Sequence, residues 1–173
     1  MEQIYCLYKT SSLNGSINLK LPAGFYETFW IPTFSDIFKN ELGKKFYRWY
    51  FPFFFSVIKS KPLFGAKCIW KENQLVHHSF FSRSCFKWPF MNPKDIQIGP
   101  VSTDEPFRRR GLAKYSLFSI IKEFPKSGRN YWWIVRKENI FSIKLVEEMG
   151  FTFESLLEKR PFLGCNIYSK VGK

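Results

Sequence analysis

The feature that most restricts how this chain can fold is an apolar strand that ends in a basic turn and runs straight into an amphipathic helix. Ile96 to Thr103 reads as the strand, Asp104, Glu105 and Pro106 break it, and a helix is predicted from about Arg109 to Phe124. Within that helix Leu112, Tyr115, Leu117, Phe118, Ile121 and Phe124 recur mostly at three- and four-residue spacing. They make one apolar stripe, which has to be buried on a sheet. Strands are predicted on both sides of this unit. Phe64 to Trp70 and Leu75 to Phe81 form a hairpin across the polar turn Lys71 to Gln74, and Ser82 to Lys94 is a loop carrying Pro89 and Pro93. Asn130 to Val135 is a buried strand, Asn139 to Met149 a helix ended by Gly150, and Phe151 to Leu156 and Phe162 to Tyr168 further strands. Strand, helix, strand, helix, strand is an α/β layout with a mixed sheet.

The first sixty residues are less regular. Ile4 to Lys9 opens with a strand, Gly24 and Pro32 punctuate the next stretch, and Thr33 to Ile58 reads as one or two helices with Pro52 at a boundary or kink. With 173 residues and no linker, repeat or low-complexity tract, a single domain over residues 1–173 is expected. The longest aromatic-rich stretch, Phe46 to Ile58, is interrupted by Arg48 and Pro52 and is shorter than the roughly 20 apolar residues of a spanning helix. It is either a core helix over the sheet or an exposed patch for a partner or the membrane surface, flanked by Lys44, Lys45 and Lys59. The region after Met1 lacks the basic and apolar segments of a secretory signal, so a cytoplasmic location is expected. Cys6, Cys68, Cys85 and Cys165 form no C-x-x-C pair, which leaves reduced, mostly buried thiols and no metal site as the reading.

The run from Val101 through Ser102 and Thr103 to Arg108, Arg109, Arg110, Gly111, Leu112 and Ala113 has the makings of an anion site. Unpaired backbone N–H groups of a first helical turn point outward, the helix dipole adds about half a positive charge, and Gly111 and Ala113 lack bulk that would hold a diphosphate away. A solvated basic turn before an ordinary helix is the competing reading. The net charge of +13 also calls for an anionic partner, and the three arginines of the loop account for only part of it.

Arg108-x-x-Gly111-x-Ala113 after a strand resembles the pyrophosphate loop of the GNAT acetyltransferase superfamily. Asn139, Ser142 and Leu145, running to Met149, Gly150 and Phe151, resemble the family's second signature, a helix whose first residues line the pantetheine arm. The resemblance covers about Phe64 to Tyr168. It implies a mixed, mostly antiparallel sheet of six to seven strands flanked by about four helices, with residues 64–168 as the acyl-CoA-binding core and 1–60 on the acceptor side. Acetyl-CoA or another acyl-CoA is then the co-substrate, with no metal. A narrower resemblance, in Leu75 to Ser79, Phe86 to Met91 and Asp95 to Thr103, is to members associated with bacterial surface-polysaccharide (lipopolysaccharide or capsule) synthesis, and implies an amino sugar on a nucleotide carrier as acceptor.

The implied chemistry is direct attack of an amine on the thioester, the carbonyl being polarised by a backbone N–H around Val101 to Thr103. A protonated alkyl amine with a pKa near 10 needs about 4 kcal/mol to be deprotonated at pH 7, so a base is required. His77 is the first candidate, and adjacent His78 points to the other face of the strand. Asp95, Asp104 and Glu105 are rivals, the last two also serving as turn and helix-start residues. Val146 aligns with the tyrosine general acid of many relatives, which leaves water or Ser142 to protonate the thiolate, and Arg109 stands where relatives often have glycine. The cysteines have no activating context for covalent catalysis. Trp88 lies in a loop that either packs or stacks on a sugar or base. Beside a small-molecule N-acyltransferase, monomeric or homodimeric, the sequence leaves open an acyltransferase of protein amines, a GNAT that binds CoA without turnover, and a basic polyanion-binding module; recognised nucleic-acid motifs are missing.

Overall fold

The computed structural model describes residues 4–13, 19–31, 64–85, 87–162 and 165–172. The helices expected within Thr33 to Ile58, including the Phe46 to Ile58 stretch, lie outside the described residues, as does Phe86. One eight-stranded sheet runs through the molecule: β1 Ile4–Thr10, β2 Tyr26–Trp30, β3 Phe64–Lys71, β4 Gln74–Arg83, β5 Ile96–Thr103, β6 Tyr131–Arg136, β7 Thr152–Phe162 and β8 Cys165–Gly172. Their order is β2-β3-β4-β5-β6-β1-β7-β8. Every neighbouring pair is antiparallel except β5 and β6, which are parallel. The described helices are α1, Leu112–Glu123, and α2, Ile140–Glu148, with a short 3-10 turn at Glu105–Phe107.

Side-chain alternation along the strands sorts the core into two faces. On the helix face, Leu117, Ile120 and Ile121 of α1, Val146 of α2 and its C-cap Met149 pack with Cys6, Tyr8, Phe81, Ile96, Ile98, Tyr131, Trp133 and Val135. On the opposite face, Tyr5, Leu7, Phe64, Ala66, Cys68, Phe80, Trp132 and Leu157 form a second cluster. Trp88 and Met91, from the loop between β4 and β5, are buried in this second cluster, so the loop acts as packing there. The apolar stripe of α1 is displaced slightly from the expected one: Ser116 and Ile120 are fully buried, while Tyr115, Phe118 and Phe124 are half-buried.

The sheet exceeds the expected six to seven strands because β2 is a strand. It is pinned to β3 by more than its ladder. The Lys67 ammonium, 1% exposed, sits 2.8 Å from Glu27 Oε1 and 3.9 Å from the Phe29 ring centroid. Burial pulls its pKa down while Glu27 pushes it back up. β8 runs four residues past the expected Tyr168 end, and β7 extends to Phe162, so the two make a long hairpin at the far edge.

Candidate active site

β5 and β6 lie side by side only where they begin, at Ile96, Gln97 and Ile98 opposite Tyr131, Trp132 and Trp133. After that they part. Pro100 has no N–H with which to continue a ladder, and Gly99, at φ 129°, sits at a register shift in the β4–β5 pairing between Ser79 and Phe81. β5 therefore stays attached to β4 while β6 stays attached to β1, and a wedge opens between two parallel strands. The wedge is a cleft of about 1110 Å³, walled by Gly99 to Thr103 on one side and Trp133 to Arg136 on the other. The polar edge of β5 from Val101 to Thr103 is thus left without a neighbouring strand.

Asp95 holds the closed end of the wedge. Its carboxylate is fully buried and accepts hydrogen bonds from the backbone N–H of Asn92 (3.1 Å) and Asn130 (3.0 Å) and from Trp132 Nε1 (2.8 Å). Ile96 N–H adds a bond to the Asn130 carbonyl at 3.0 Å. Asp95 is tied into the loop that joins the strands and does not line the cleft. Asp104 and Glu105 are exposed and do not line it either. Gln74 Nε2 donates to Asp104 Oδ2 at 3.5 Å.

At the open end, on the helix face, the chain turns from β5 into α1. Arg108, Arg109, Gly111, Leu112, Ala113 and Lys114 line the cleft there. Gly111 is the N-cap, at φ 77°, with no side-chain cap, so the first N–H groups of α1 remain available to an anion. A Cβ at Gly111 would meet nothing within 4 Å, so the requirement for glycine is one of backbone conformation. Arg109 also adopts a positive φ, 61°, which costs a side-chain-bearing residue about 1 kcal/mol and accounts for glycine being acceptable there. Arg108 Nε donates to the Thr103 carbonyl at 3.2 Å, tying the turn to the strand end. Arg110 alone of the three is outside the cleft, its guanidinium 5.7 Å from the Phe107 ring centroid.

Across the wedge, Asn139 caps α2 by accepting the Ser142 N–H at 3.2 Å, and Asn139, Phe141, Ser142 and Leu145 line the cleft. Val146 is fully buried between α2 and the sheet, so the position expected to align with a tyrosine general acid does not face the cleft. The cleft-facing side of α2 one turn in is carried by Leu145. An ion pair between Lys114 and Glu148 joins the two helices.

His77 and His78 fall on opposite faces, as alternation requires. His77 is 1% exposed and lies outside the cleft lining. Its Nδ1 is 2.7 Å from Thr103 Oγ1 and its Nε2 2.9 Å from Ser79 Oγ. Burial, and then the nearby His78, push its pKa down to about 3, so the ring is neutral at working pH. Thr103 does line the cleft, and it is the contact through which His77 touches the site. His78, also outside the cleft lining, is half-buried on the opposite face, its ring edge-on to Phe80 at 5.4 Å, and its Cα pairs with that of Ser102, a cleft residue. Cys68 pairs with His78 across the β3–β4 ladder, but burial pushes its thiol up to about 12, which removes it as a nucleophile.

Trp133, Phe141, Tyr5 and Arg136 are among the cleft residues not singled out from the sequence. Trp133 is 4% exposed and its indole N–H has no partner among the described residues, a buried donor next to the cleft. Phe141, 85% exposed, stands at the rim. Tyr5 and Arg136 meet at the opposite face through β1–β6 pairing. Nothing local marks any of them; the last two become neighbours only when strands from opposite ends of the chain pair.

The sequence model of the Acetyltransferase (GNAT) family matches residues 24–151. No curated protein matches the sequence. Among solved structures, the chain superposes on a GCN5-related N-acetyltransferase from Sphaerobacter thermophilus with a TM-score of 0.62 at 10% identity, over 91% of this chain and 50% of that one. A tandem GNAT protein from the clavulanic acid biosynthesis pathway gives 0.58 at 11%, over 88% and 50%. An acetyltransferase of the GNAT family from Colwellia psychrerythraea gives 0.53 at 15%, over 88% and 53%. The chain spans roughly half the length of these three structures. With the family's sequence model covering residues 24–151, most of the chain, the protein belongs to the GNAT acetyltransferase family.

Proposed function

We propose that this protein transfers an acetyl or other short acyl group from acyl-CoA to a primary amine, and that the amine belongs to an amino sugar on a nucleotide carrier of the kind used in surface-polysaccharide synthesis. The observation that carries the transfer reading is the wedge itself: an uncovered strand edge, with an uncapped helix N-terminus and two cleft-lining arginines at its helix-face mouth. The net charge of +13 favours an anionic acceptor, and a nucleotide-linked substrate is consistent with a cytoplasmic site of action. No helix of the described residues is long and apolar enough to cross a membrane. The whole chain is read as one acyltransferase domain with 64–168 as its donor core.

The residues present suit an acyl-CoA. Amides of Gly111 to Ala113 with Arg108 and Arg109 would hold a diphosphate, the Val101 to Thr103 edge would pair with pantetheine amides, and the Trp133 indole would offer a further donor. The bound thioester supplies an activated acyl carbon. A backbone N–H of the β5 edge stabilises the oxyanion that develops when the amine attacks, and Thr103, held by His77, fixes that edge. His78 stands beside Ser102 on the acceptor face and takes the amine proton, directly or through one water. Ser142, at the start of α2, lines the cleft and donates a hydrogen bond to the departing sulfur, which takes its proton from water.

Calorimetric titration tests the donor half. Acetyl-CoA should bind in the micromolar range and more tightly than dephospho-CoA or ATP. Arg109→Glu should weaken it about 10- to 100-fold, the range for a lost charged hydrogen bond with reversed charge, while Arg110→Glu should stay within about threefold because that side chain lies on Phe107. Equal, salt-sensitive binding of all three ligands would instead mark a generic polyanion surface and overturn the enzyme reading.

A further inference from the structure

The wedge opens on both faces of the sheet, and its two mouths carry charge independently. At the helix face stand the N-terminus of α1 and the Arg108–Arg109 turn. At the opposite face, Tyr5 of β1 and Arg136 of β6 are register partners, so their side chains rise next to each other, and both line the cleft. Tyr5 belongs to the opposite-face cluster together with Trp132, and Arg136 follows Trp132 by four residues along the same strand, so alternation puts it on that same face. The Tyr168 ring meets Tyr5 edge-on with centroids 5.2 Å apart.

We propose that Arg136, with the hydroxyls of Tyr5 and Tyr168 beside it, binds an oxyanion carried by the acceptor, a phosphate ester or a carboxylate on the same molecule as the reacting amine. The proposal rests on the reading of the wedge as an N-acyltransferase site.

Three observations carry it. Arg136 is exposed, and among the described residues no carboxylate pairs with it, whereas Lys9, Lys170 and Lys114 are each matched by Glu154 or Glu148. A cleft-lining guanidinium without a counter-charge is a fork of N–H donors shaped for two oxygens of one anion. Next, the two hydroxyls beside it are hydrogen-bonded to each other, so one of them at a time can donate to an anion. Tyr168 feels Arg136 electrostatically and is hydrogen-bonded to Tyr5, and burial first, then Tyr5, holds its hydroxyl up near 12, so it stays protonated. Finally, the sheet separates this cluster from the diphosphate site. Arg136 is on the face away from α1, so it is free to hold a second anion while the helix N-terminus holds the first. His78 and Ser102 lie on the same face across the wedge, which leaves the amine between the proton acceptor and the anion clamp. An amine that carries its own oxyanion is then held by one end while the other is acylated, and a neutral amine loses that anchor.

Three hexosamines separate the possibilities: glucosamine, which is neutral apart from its amine, glucosamine 1-phosphate, which adds a phosphate ester, and muramic acid, which adds a carboxylate. Each is titrated calorimetrically into the CoA-saturated protein and into Arg136→Gln, with acetyl-CoA titrated into both proteins separately. The wild type should bind at least one of the two anionic sugars tenfold or more tightly than glucosamine, and which of them it prefers identifies the anion. Arg136→Gln should erase that preference and leave acetyl-CoA affinity within about twofold. Tyr168→Phe, which keeps the ring, should remove part of the preference. Equal binding of all three sugars by the wild type would overturn the proposal. So would a preference that survives Arg136→Gln, or a loss of acetyl-CoA affinity as large as the loss for the sugar, which would place Arg136 in the donor site. A wild type that does not bind acetyl-CoA defeats the transferase reading separately; the sugar titrations, run without CoA, still decide whether Arg136 is an anion clamp.

Discussion

Asp95→Ala is expected to lose on the order of 4 kcal/mol of unfolding free energy, while Asp104→Ala stays within about 0.5 kcal/mol of the parent. Both residues are acidic, and both flank the same strand. The difference lies in what each carboxylate holds. Asp95, itself 0% exposed, accepts from an indole N–H in a buried bond and from two backbone N–H groups in part-buried ones. Truncation removes the acceptor of all three donors, and each buried donor left unpaired costs about 1–3 kcal/mol. Asp104 is exposed, and its side-chain bond is a 3.5 Å contact to Gln74. Set against the roughly 5–15 kcal/mol that holds a typical domain folded, the Asp95 loss removes a large share of the total. Urea unfolding followed by tryptophan fluorescence measures it. Asp95→Asn retains one acceptor oxygen but turns amide hydrogens toward donors, so it should fall between the two. A loss below about 1 kcal/mol in Asp95→Ala would mean that the closed end of the wedge is held by the Ile96–Asn130 backbone bond and packing alone.

Asp95 also illustrates what sequence reading can and cannot supply. Strand β5 and its neighbours were legible because their apolar runs are bounded by prolines, glycines and charged turns, and β5 is found with its expected limits of Ile96 and Thr103. The helices were legible from their stripes, each losing a few residues at its ends: Arg109 to Gly111 form the turn and cap, and Asn139 is the N-cap. β2 was not legible, because Tyr26–Trp30 is short and its place at the sheet edge depends on Glu27 and Phe29 meeting Lys67, a tertiary event. The basic loop could be read as one cluster because its residues are contiguous, and Arg108, Arg109 and Gly111 line the cleft. The opposite mouth of the cleft could not, since Tyr5, Arg136 and Tyr168 come from three strands scattered along the chain. Direction within an element was also hidden: spacing alone did not show that Val146 turns into the core and Leu145 toward the cleft, nor that Arg110 turns away from it.

Between pH 7.5 and pH 5, the wild type should lose about 2 kcal/mol more unfolding free energy than His77→Gln. The sign is set by the buried imidazole. Its folded pKa is pushed down to about 3 from a starting value of 6.5, so between those limits the unfolded chain binds a proton that the folded chain refuses. Stability from this group is complete above about pH 7 and is lost progressively as pH falls from 6.5 toward 3; a pKa difference of this size yields about 2 kcal/mol by pH 5. Comparing each protein with itself at two pH values removes the constant cost of replacing a ring that bridges Thr103 and Ser79. The same titration bears on catalysis. A ring whose pKa is held down to about 3 by burial is a poor acceptor for an ammonium proton, and in the proposed mechanism His77 positions Thr103 through the 2.7 Å contact between them. Its glutamine variant should turn over more slowly yet keep the acid limb of the pH–rate profile. His78→Gln should lower kcat about 10²- to 10⁴-fold, the range for a lost general base, and His77→Gln by less. The reverse order would exchange the two roles and require the strand to open enough for His77 to meet the acceptor.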